Sequence, residues 1–518
     1  MLPSTRVTVA ERTVILAALG LFAVVLLRTA WVCDDAFITF RTVDNLLHGL
    51  GPRWNAAERV QAYTHPLWML LLAAIELILR SGPYLTSIFE SLACSLIAAG
   101  LLAFGVARSG WQAIVGVLIL TSARSFVDFS SSGLENALSH TLIVVYVMAL
   151  ARPAAPGRAW LPVFVASLLL VNRLDLIWLI GPSLGAYVLA DRSARSLRSL
   201  AIGLSPLIAW EAFSLIYYGF PVPNTAFAKL HTGIPERDLL IQGLRYLQES
   251  WLHDPLTLVV IAASVVAGWL GGRRALAAGL VLDVIYVVWV GGDFMSGRFL
   301  TAPLLVGVAL LVALPVPVRP VWRVAIAAAV LGLGLLASAP TLLSGPKFGR
   351  GREYVDFSGV TDERKYYYPQ TGLLRPFQEF VRPDMPEADF ARWMITQGQR
   401  VAIHDNVGMF GYGGGADLYV VDNFALGDPL LARLPCRLPW RAGHFNRGVP
   451  DGYIQTLRSG RNQIMDPGVA AYYDALSLIT RGPLFSAARW RAIIRMNLAL
   501  DDHLLDHYRA AARAPTPS

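Results

Sequence analysis

Charge is what this chain has least of. Only 15% of its 518 residues are Asp, Glu, Lys or Arg, where a soluble protein carries about 25%. Cysteine is scarcer still, with Cys33, Cys94 and Cys436 the full set. Three cysteines make no disulfide framework, and no Cys-x-x-Cys spacing offers a metal site. Cys94 falls inside an apolar run and reads as packing, while a single bridge between Cys33 and Cys436 stays open. There is no GxGxxG fingerprint followed by a helix and a distal acid. No serine or cysteine sits in a nucleophile elbow, and no basic stripe is interleaved with aromatics. Those absences speak against a nucleotide-sugar site, against a hydrolase and against nucleic acid as a partner. The N-terminus lacks a small-residue cleavage site, and its apolar stretch is too long for a cleavable signal. It reads as a retained first helix with Arg6 and Arg12 on the cytoplasmic side.

Apolar residues fill the gap. They make up 55% of the chain, and mean hydropathy is +0.50, which describes a polytopic membrane protein. Apolar segments recur near residues 13–30, 66–80, 84–107, 110–124, 135–151, 159–172, 174–190, 199–218, 256–271, 275–290, 298–316 and 323–341. The net charge of +8 is read as short cytoplasmic loops obeying the positive-inside bias. The basic loops at 152–158, 191–198, 272–274 and 319–323 fit that reading. They place residues 172–175, 217–254, 291–298 and everything after about 342 outside. Twelve segments give an even count, whereas a cytoplasmic start and an external end need an odd one. About eleven spans are therefore expected, with one early segment too short to cross or two merged. The expected fold is a polytopic α-helical membrane module, residues 1–341, with a first external loop at 31–65. A soluble extracytoplasmic α/β domain, residues 342–518, follows it. Inside that domain, residues 400–405 and 418–422 read as two short buried strands, joined by the glycine-rich stretch 408–415 as a tight loop.

Asp34 and Asp35 stand just after the first apolar helix. Two adjacent acids at the mouth of a membrane helix are costly unless they bind or catalyse something. One would act as general base on an acceptor hydroxyl. The other would orient substrate or help hold a divalent cation, the one cofactor that the residues leave open. A helix cap would need only one acid. The loop that follows carries Arg41, suited to a bidentate pair with phosphate. It also carries Trp54, Tyr63 and Trp68, for which stacking on a sugar competes with the interface belt, and Tyr63 and His65 are candidates for the donor side. Arg173, Asp175, Lys229, Asp293 and Arg298 fall at the external ends of spans, where the cations would meet a lipid phosphate as it leaves or snorkel to headgroups. Glu135 caps a helix or faces the acceptor. His404, beside Asp405 at a strand end, and His444 are candidates for the acceptor side.

The run Asp34-Asp35-Ala36-Phe37-Ile38, Arg41, Asn45-Leu46-Leu47, Gly49-Leu50-Gly51, Trp54-Asn55 and residues 58–68 (Glu-Arg-Val-Gln-Ala-Tyr-Thr-His-Pro-Leu-Trp) resembles the first external loop of GT-C membrane glycosyltransferases. Above all it resembles the arabinofuranosyltransferases that use polyprenyl-phosphate arabinose in cell-wall arabinan termination and pilin glycosylation. Gly133-Leu134-Glu135, Tyr218-Gly219-Phe220-Pro221-Val222-Pro223-Asn224-Thr225 with Lys229, Gly292-Asp293-Phe294 with Gly297-Arg298-Phe299, and Gly443-His444 with Val449-Pro450-Asp451 are similar to later motifs of that family. Two positions depart from it. Arg173-Leu174-Asp175-Leu176 stands where the family has Arg-Pro-Glu-Gly, and Gln61-Ala62-Tyr63 where it has Glu-Gly-Tyr.

The resemblance implies a bacterial inner-membrane enzyme. It would move a sugar, arabinofuranose foremost, from a polyprenyl-phosphate donor to a glycan or protein acceptor outside the cell. Alternatives are a GT-C transferase for another lipid-linked pentose or hexose, and a lipid-linked sugar transporter. A transporter would place its charges near the midplane within inverted repeats; here they gather at span ends.

Overall fold

The computed structural model describes residues 8–151, 160–190, 194–230, 232–345, 358–375 and 383–513. The basic residues expected at 152–158 and 191–193 lie outside the described residues, as do 346–357 and 376–382. Each of the twelve apolar segments is helical over most of its described length. Local signals set many of the boundaries. Thr8 caps Val9–Thr29 through a capping box with Glu11, which satisfies two orphan donors reciprocally. Proline opens Pro83–Leu101, Pro255–Leu270 and Pro320–Leu335, where its missing N–H costs nothing.

Among the described residues, Val9–Thr29 and Pro83–Val106 are long and apolar enough to cross a bilayer alone. Glu236–His253 and Pro255–Leu270 pass only as a pair bent by 111°. Seven further apolar helices have 10–17 residues. At about 1.5 Å per residue these fall short of a hydrocarbon core of about 30 Å, so eleven crossings remain an expectation of the hydropathy.

Contacts divide the chain into two compact units, each assembled from three stretches of sequence. The expected boundary at 341/342 follows composition; the contacts follow space. The first unit holds residues 1–33, 79–207 and 236–384 and is helical. Gly279 lets Arg274–Trp289 lie against Ile177–Ala190, since a Cβ there would meet the Leu179 carbonyl oxygen at 1.9 Å. Small residues at helix contacts serve this purpose in membranes. A buried ion network pins the segment after residue 358. Arg364 Nε lies 2.9 Å from Asp128, Arg124 Nε lies 3.3 Å from Asp128, and Arg124 also pairs with Asp362. At the 111° bend, the Asp254 carboxylate accepts from the Ser125 N–H (2.8 Å) and the Thr257 hydroxyl (2.6 Å).

The second unit holds residues 34–78, 208–235 and 385–518. The first loop is thus built into the C-terminal part: Ile38, Trp54 and Ala62 share one core cluster with Ala402, Phe410 and Val420. The two expected strands form, as Val401–His404 and Tyr419–Asp422, parallel and in register from Val401 opposite Tyr419 to His404 opposite Asp422. They are the whole sheet among the described residues. The glycine-rich stretch between them is a correction: it is a helix, Val407–Gly414. Glycine is a poor helix former, and contact with the first loop overrides the propensity. A Cβ on Gly408 would lie 1.9 Å from the Asp34 carbonyl oxygen, and one on Gly411 would lie 2.3 Å from the Trp54 ring. Cys33, Cys94 and Cys436 form no disulfide among the described residues.

Candidate active site: two charged clusters

In the second unit Asp34 and Asp35 open the helix Asp34–Leu47, and they differ. Asp34 is buried, and each of its carboxylate oxygens accepts one backbone N–H: Gly408 at 2.9 Å and Met409 at 2.8 Å. Those two N–H groups belong to the first turn of Val407–Gly414, where helix donors lack intrahelical partners and the dipole favours an anion. Burial nonetheless pushes the Asp34 carboxyl up to about 7, against the pull of the Met409 and Gly408 N–H groups. Asp35, one residue on, is only half-buried. Its charge acts on Asp422, whose carboxyl burial has already raised to about 6.

Arg41, expected on phosphate, is held inside the unit. It donates to the carbonyls of Leu418 (2.6 Å) and Gly415 (2.9 Å) and stacks over Trp54 at 4.4 Å. Tyr63 and His65 are buried too. The Tyr63 hydroxyl lies 2.8 Å from that of Tyr218, and His65 Nε2 lies 2.6 Å from the Thr39 hydroxyl. The later motifs meet around residues 423–428. Asn224 donates to the carbonyls of Ala425, Leu426 and Asp428 at 3.0–3.1 Å. Lys229, on the helix Asn224–Leu230, is half-buried and close enough to His444 for its charge to act on the ring. Burial, then Arg441, then Lys229 push the His444 imidazole down to about 3. His444 is therefore neutral at physiological pH and packs edge-on against Phe424 at 4.6 Å. His404 stacks on Phe410 at 4.0 Å, its Nδ1 3.1 Å from the Asn406 carbonyl oxygen, and burial lowers its pKa as well.

In the first unit Glu135, Arg173, Asp175, Asp293 and Arg298 do come together. Glu135, expected on the acceptor side, is the acid between two arginines. Its Oε1 lies 3.2 Å from Arg298 Nη2 and 3.7 Å from Arg173 Nε. Arg298 reaches Asp293 at 3.6 Å, and Arg173 pairs with Asp175. Arg173 Nη1 is buried without a hydrogen-bond partner among the described residues, a donor left over for a ligand. Asn172 fixes the corner by donating to the Glu135 carbonyl at 3.1 Å and to Ser139 at 3.0 Å.

Sequence reasoning passed over Asp422, Asp428 and Glu58. Each is a buried acid with specific partners. Asp428 accepts from Tyr453 (3.0 Å) and from the Leu431 N–H (2.9 Å). Glu58 accepts from Tyr419 (2.6 Å) and Arg481 (3.1 Å). An acid at the end of an apolar strand, as in Tyr419–Asp422, was the one available signal. Among the described residues no group of three or more His, Cys, Asp or Glu is arranged to hold a metal ion. Asp34 and Asp35 are not part of such a group among the described residues.

No family model matches the chain. It is 28% identical to a terminal β-(1→2)-arabinofuranosyltransferase of Mycobacterium tuberculosis, over 86% of this chain and 84% of that protein. It is 26% identical to one from Corynebacterium glutamicum, over 80% of this chain and 72% of that protein. Among solved structures, ArnT from Cupriavidus metallidurans bound to undecaprenyl phosphate overlaps 80% of this chain and 87% of its own at 14% identity, with a TM-score of 0.49. At that overlap the likeness carries no functional inference. The chain is a helical membrane protein, at home in a bacterial membrane. The two long alignments agree with the motifs and mark it as a glycosyltransferase, similar to the terminal β-(1→2)-arabinofuranosyltransferases.

Proposed function

We propose that this glycosyltransferase moves arabinofuranose from polyprenyl phosphate to an acceptor hydroxyl, of a cell-surface glycan or a pilin-type protein, on the extracytoplasmic face of the bacterial inner membrane. The observation that carries the reading is the kinship with arabinofuranosyltransferases over 86% of the chain. In the step proposed, the acceptor oxygen bonds to the anomeric carbon. The bond from that carbon to the phosphate oxygen breaks, with its electron pair staying on the phosphate. The acceptor proton passes to a carboxylate.

Asp35 is the base in this reading. Asp34 is a positioning residue, because both of its oxygens are taken by Gly408 and Met409. In the first unit Arg173 and Arg298 give hydrogen bonds to the departing phosphate. Neutral His444 accepts from the acceptor glycan. Arg41, Tyr63 and His65 hold the first loop in shape. General-base assistance contributes about 10²–10⁴-fold, and positioning supplies much of the rest.

A second reading, transfer of another lipid-linked pentose or hexose, is favoured by Gln61. Its uncharged amide donates to the Tyr63 carbonyl at 3.1 Å and its Oε1 lies 3.3 Å from the Ser214 hydroxyl, where the family places a glutamate. The test is transfer from synthetic farnesyl- or decaprenyl-phosphoryl arabinofuranose by purified protein, with Asp35→Asn beside it and a chelator arm. Transfer lost in the variant supports both the sugar and the base. A folded protein that turns over another lipid-linked sugar instead decides for the second reading, and one that turns over none sinks the donor class.

A further inference from the structure

The helices that carry the charged cluster of the first unit at one end line a separate cavity at the other. Asn136–Ala151 starts beside Glu135 and ends at Val147–Ala151. Thr301–Ala313 starts beside Arg298 and ends at Ala309–Ala313. Arg274–Trp289 runs the opposite way, with Arg274 at its start. The cavity lies between Val147–Ala151, Ala309–Ala313 and residues 272–276, with a volume of about 240 Å³. Helices of 13–16 residues put it about 20–24 Å from the Glu135 cluster. Its polar rim is Arg108, Arg273 and Arg274, its walls include Val106, Met148 and Leu310, and no Asp or Glu is among the described lining residues.

Two further features point to a ligand. Arg273 and Arg274 sit at the N-terminus of Arg274–Trp289, whose free N–H groups favour an anion. The facing wall is the π-helical turn Leu102–Val106, and such turns in α-helices often mark functional sites. A cationic rim over an apolar wall at a bundle end fits a phosphate group bearing a hydrocarbon tail.

We propose that this cavity binds the headgroup of an anionic phospholipid, at a site separate from the sugar-transfer centre. The intact protein is reconstituted in bilayers of phosphatidylcholine with or without phosphatidylglycerol, and the lipid retained after extraction is identified by native mass spectrometry. The wild type should keep phosphatidylglycerol. Arg273→Ser/Arg274→Ser should weaken retention by roughly fivefold for each arginine removed. The exposed single change Arg273→Glu should act in the same direction, and Arg319→Ser/Arg323→Ser, in another basic loop, should not. Equal loss in both double variants would reduce the effect to surface charge and overturn the site. Retention unaffected by Arg273→Glu would overturn it as well. Inorganic phosphate added alone should not displace the lipid; if it does, the site takes free phosphate instead. Because lipid retention is read without sugar transfer, failure here is distinguishable from failure of the proposed activity.

Discussion

Removing the Asp34 side chain should break the fold before it touches chemistry, and removing the Asp35 carboxylate should do the reverse. Asp34→Ala strips two buried backbone donors, the N–H groups of Gly408 and Met409, of their acceptors at 2.9 and 2.8 Å. A buried donor left unsatisfied costs about 1–3 kcal/mol, so the pair should cost about 2–6 kcal/mol. Asp34→Asn keeps one acceptor and should cost about half as much, roughly 1–3 kcal/mol. Asp35→Asn should leave the melting temperature in place and lower transfer about 10²–10⁴-fold. The assay is thermal unfolding by intrinsic fluorescence in detergent, run beside transfer of labelled sugar. The pH dependence gives a separate handle on Asp34. Its folded pKa, about 7, lies above the ordinary 3.8, so the native state holds the proton more tightly than the unfolded chain. The contribution to stability is full below about pH 4 and is lost as pH climbs through 7. Asp34→Asn should therefore flatten the fall in stability between about pH 4 and 7. An Asp34→Ala protein as stable as wild type, or an Asp35→Asn protein as active, would refute the division of roles between the two acids.

Three other substitutions test the geometry. Gly408→Ala raises helix propensity yet should destabilise by about 1–3 kcal/mol, because its Cβ would lie 1.9 Å from the Asp34 carbonyl oxygen; a more stable variant in a melting assay would contradict the close approach. Arg298→Ala removes the 3.2 Å partner of Glu135, a carboxylate 1% exposed, and should cost about 3–5 kcal/mol, with partial recovery in the double variant Glu135→Gln/Arg298→Ala, as read by unfolding and expression. His444 holds its imidazole pKa down at about 3; the unfolded chain takes up a proton below about pH 6.5 and the native state does not, so stability should fall with falling pH by up to about 1.4 kcal/mol per unit. His444→Gln should remove that slope from a pH series of melting curves, and an unchanged slope would place the titration elsewhere.

The helices were legible in the sequence because each is a local pattern of apolar residues, several with proline or a capping box at the start, as at Thr8 and Pro255. The two strands were legible for the same reason, being short β-branched runs. What the pattern could not carry is contact between residues hundreds of positions apart. Asp34 and Gly408 are separated by 374 positions, and nothing local to the glycine-rich stretch says that a carboxylate will cap it. The propensity of glycine argued for a loop, and the packing of Trp54 and Asp34 against it made a helix. Arg41 shows the same limit. A lone arginine after two acids reads as a phosphate ligand, and nothing local says that the carbonyls of Gly415 and Leu418, nearly the whole chain away, will engage its Nη2 while Nε and Nη1 stay buried without a hydrogen-bond partner among the described residues. The grouping of Arg173, Asp175, Asp293 and Arg298 was legible, because all four sit at helix ends that a topology alone can align; Lys229, expected with them, belongs to the second unit, and Glu135, read as a helix cap or an acceptor-side group, was not expected between the two arginines. Their pairing was not, since hydropathy says nothing of which charge meets which.

That pairing constrains how the first unit could handle a phosphate. Glu135, Asp175 and Asp293 set three carboxylates against the two guanidiniums of Arg173 and Arg298. The cluster is formally negative before any ligand arrives, so simple neutralisation is the wrong picture of what the arginines do. In a buried site, an added phosphate charge would be opposed by the nearest acids at least as strongly as it is drawn by the cations. What the acids supply is position: a guanidinium gripped on one edge has its remaining donors fixed in direction, at no cost when the reaction occurs. Arg173 has such a donor in Nη1, buried and without a hydrogen-bond partner among the described residues. An oxyanion developing on a leaving phosphate gains more from a fixed donor than the ground-state diester does, because the charge it meets is larger. On this argument the acids are the reason the arginines could discriminate the transition state from the bound substrate, and exchanging Arg173 for lysine would keep the charge while losing the fork that makes the discrimination.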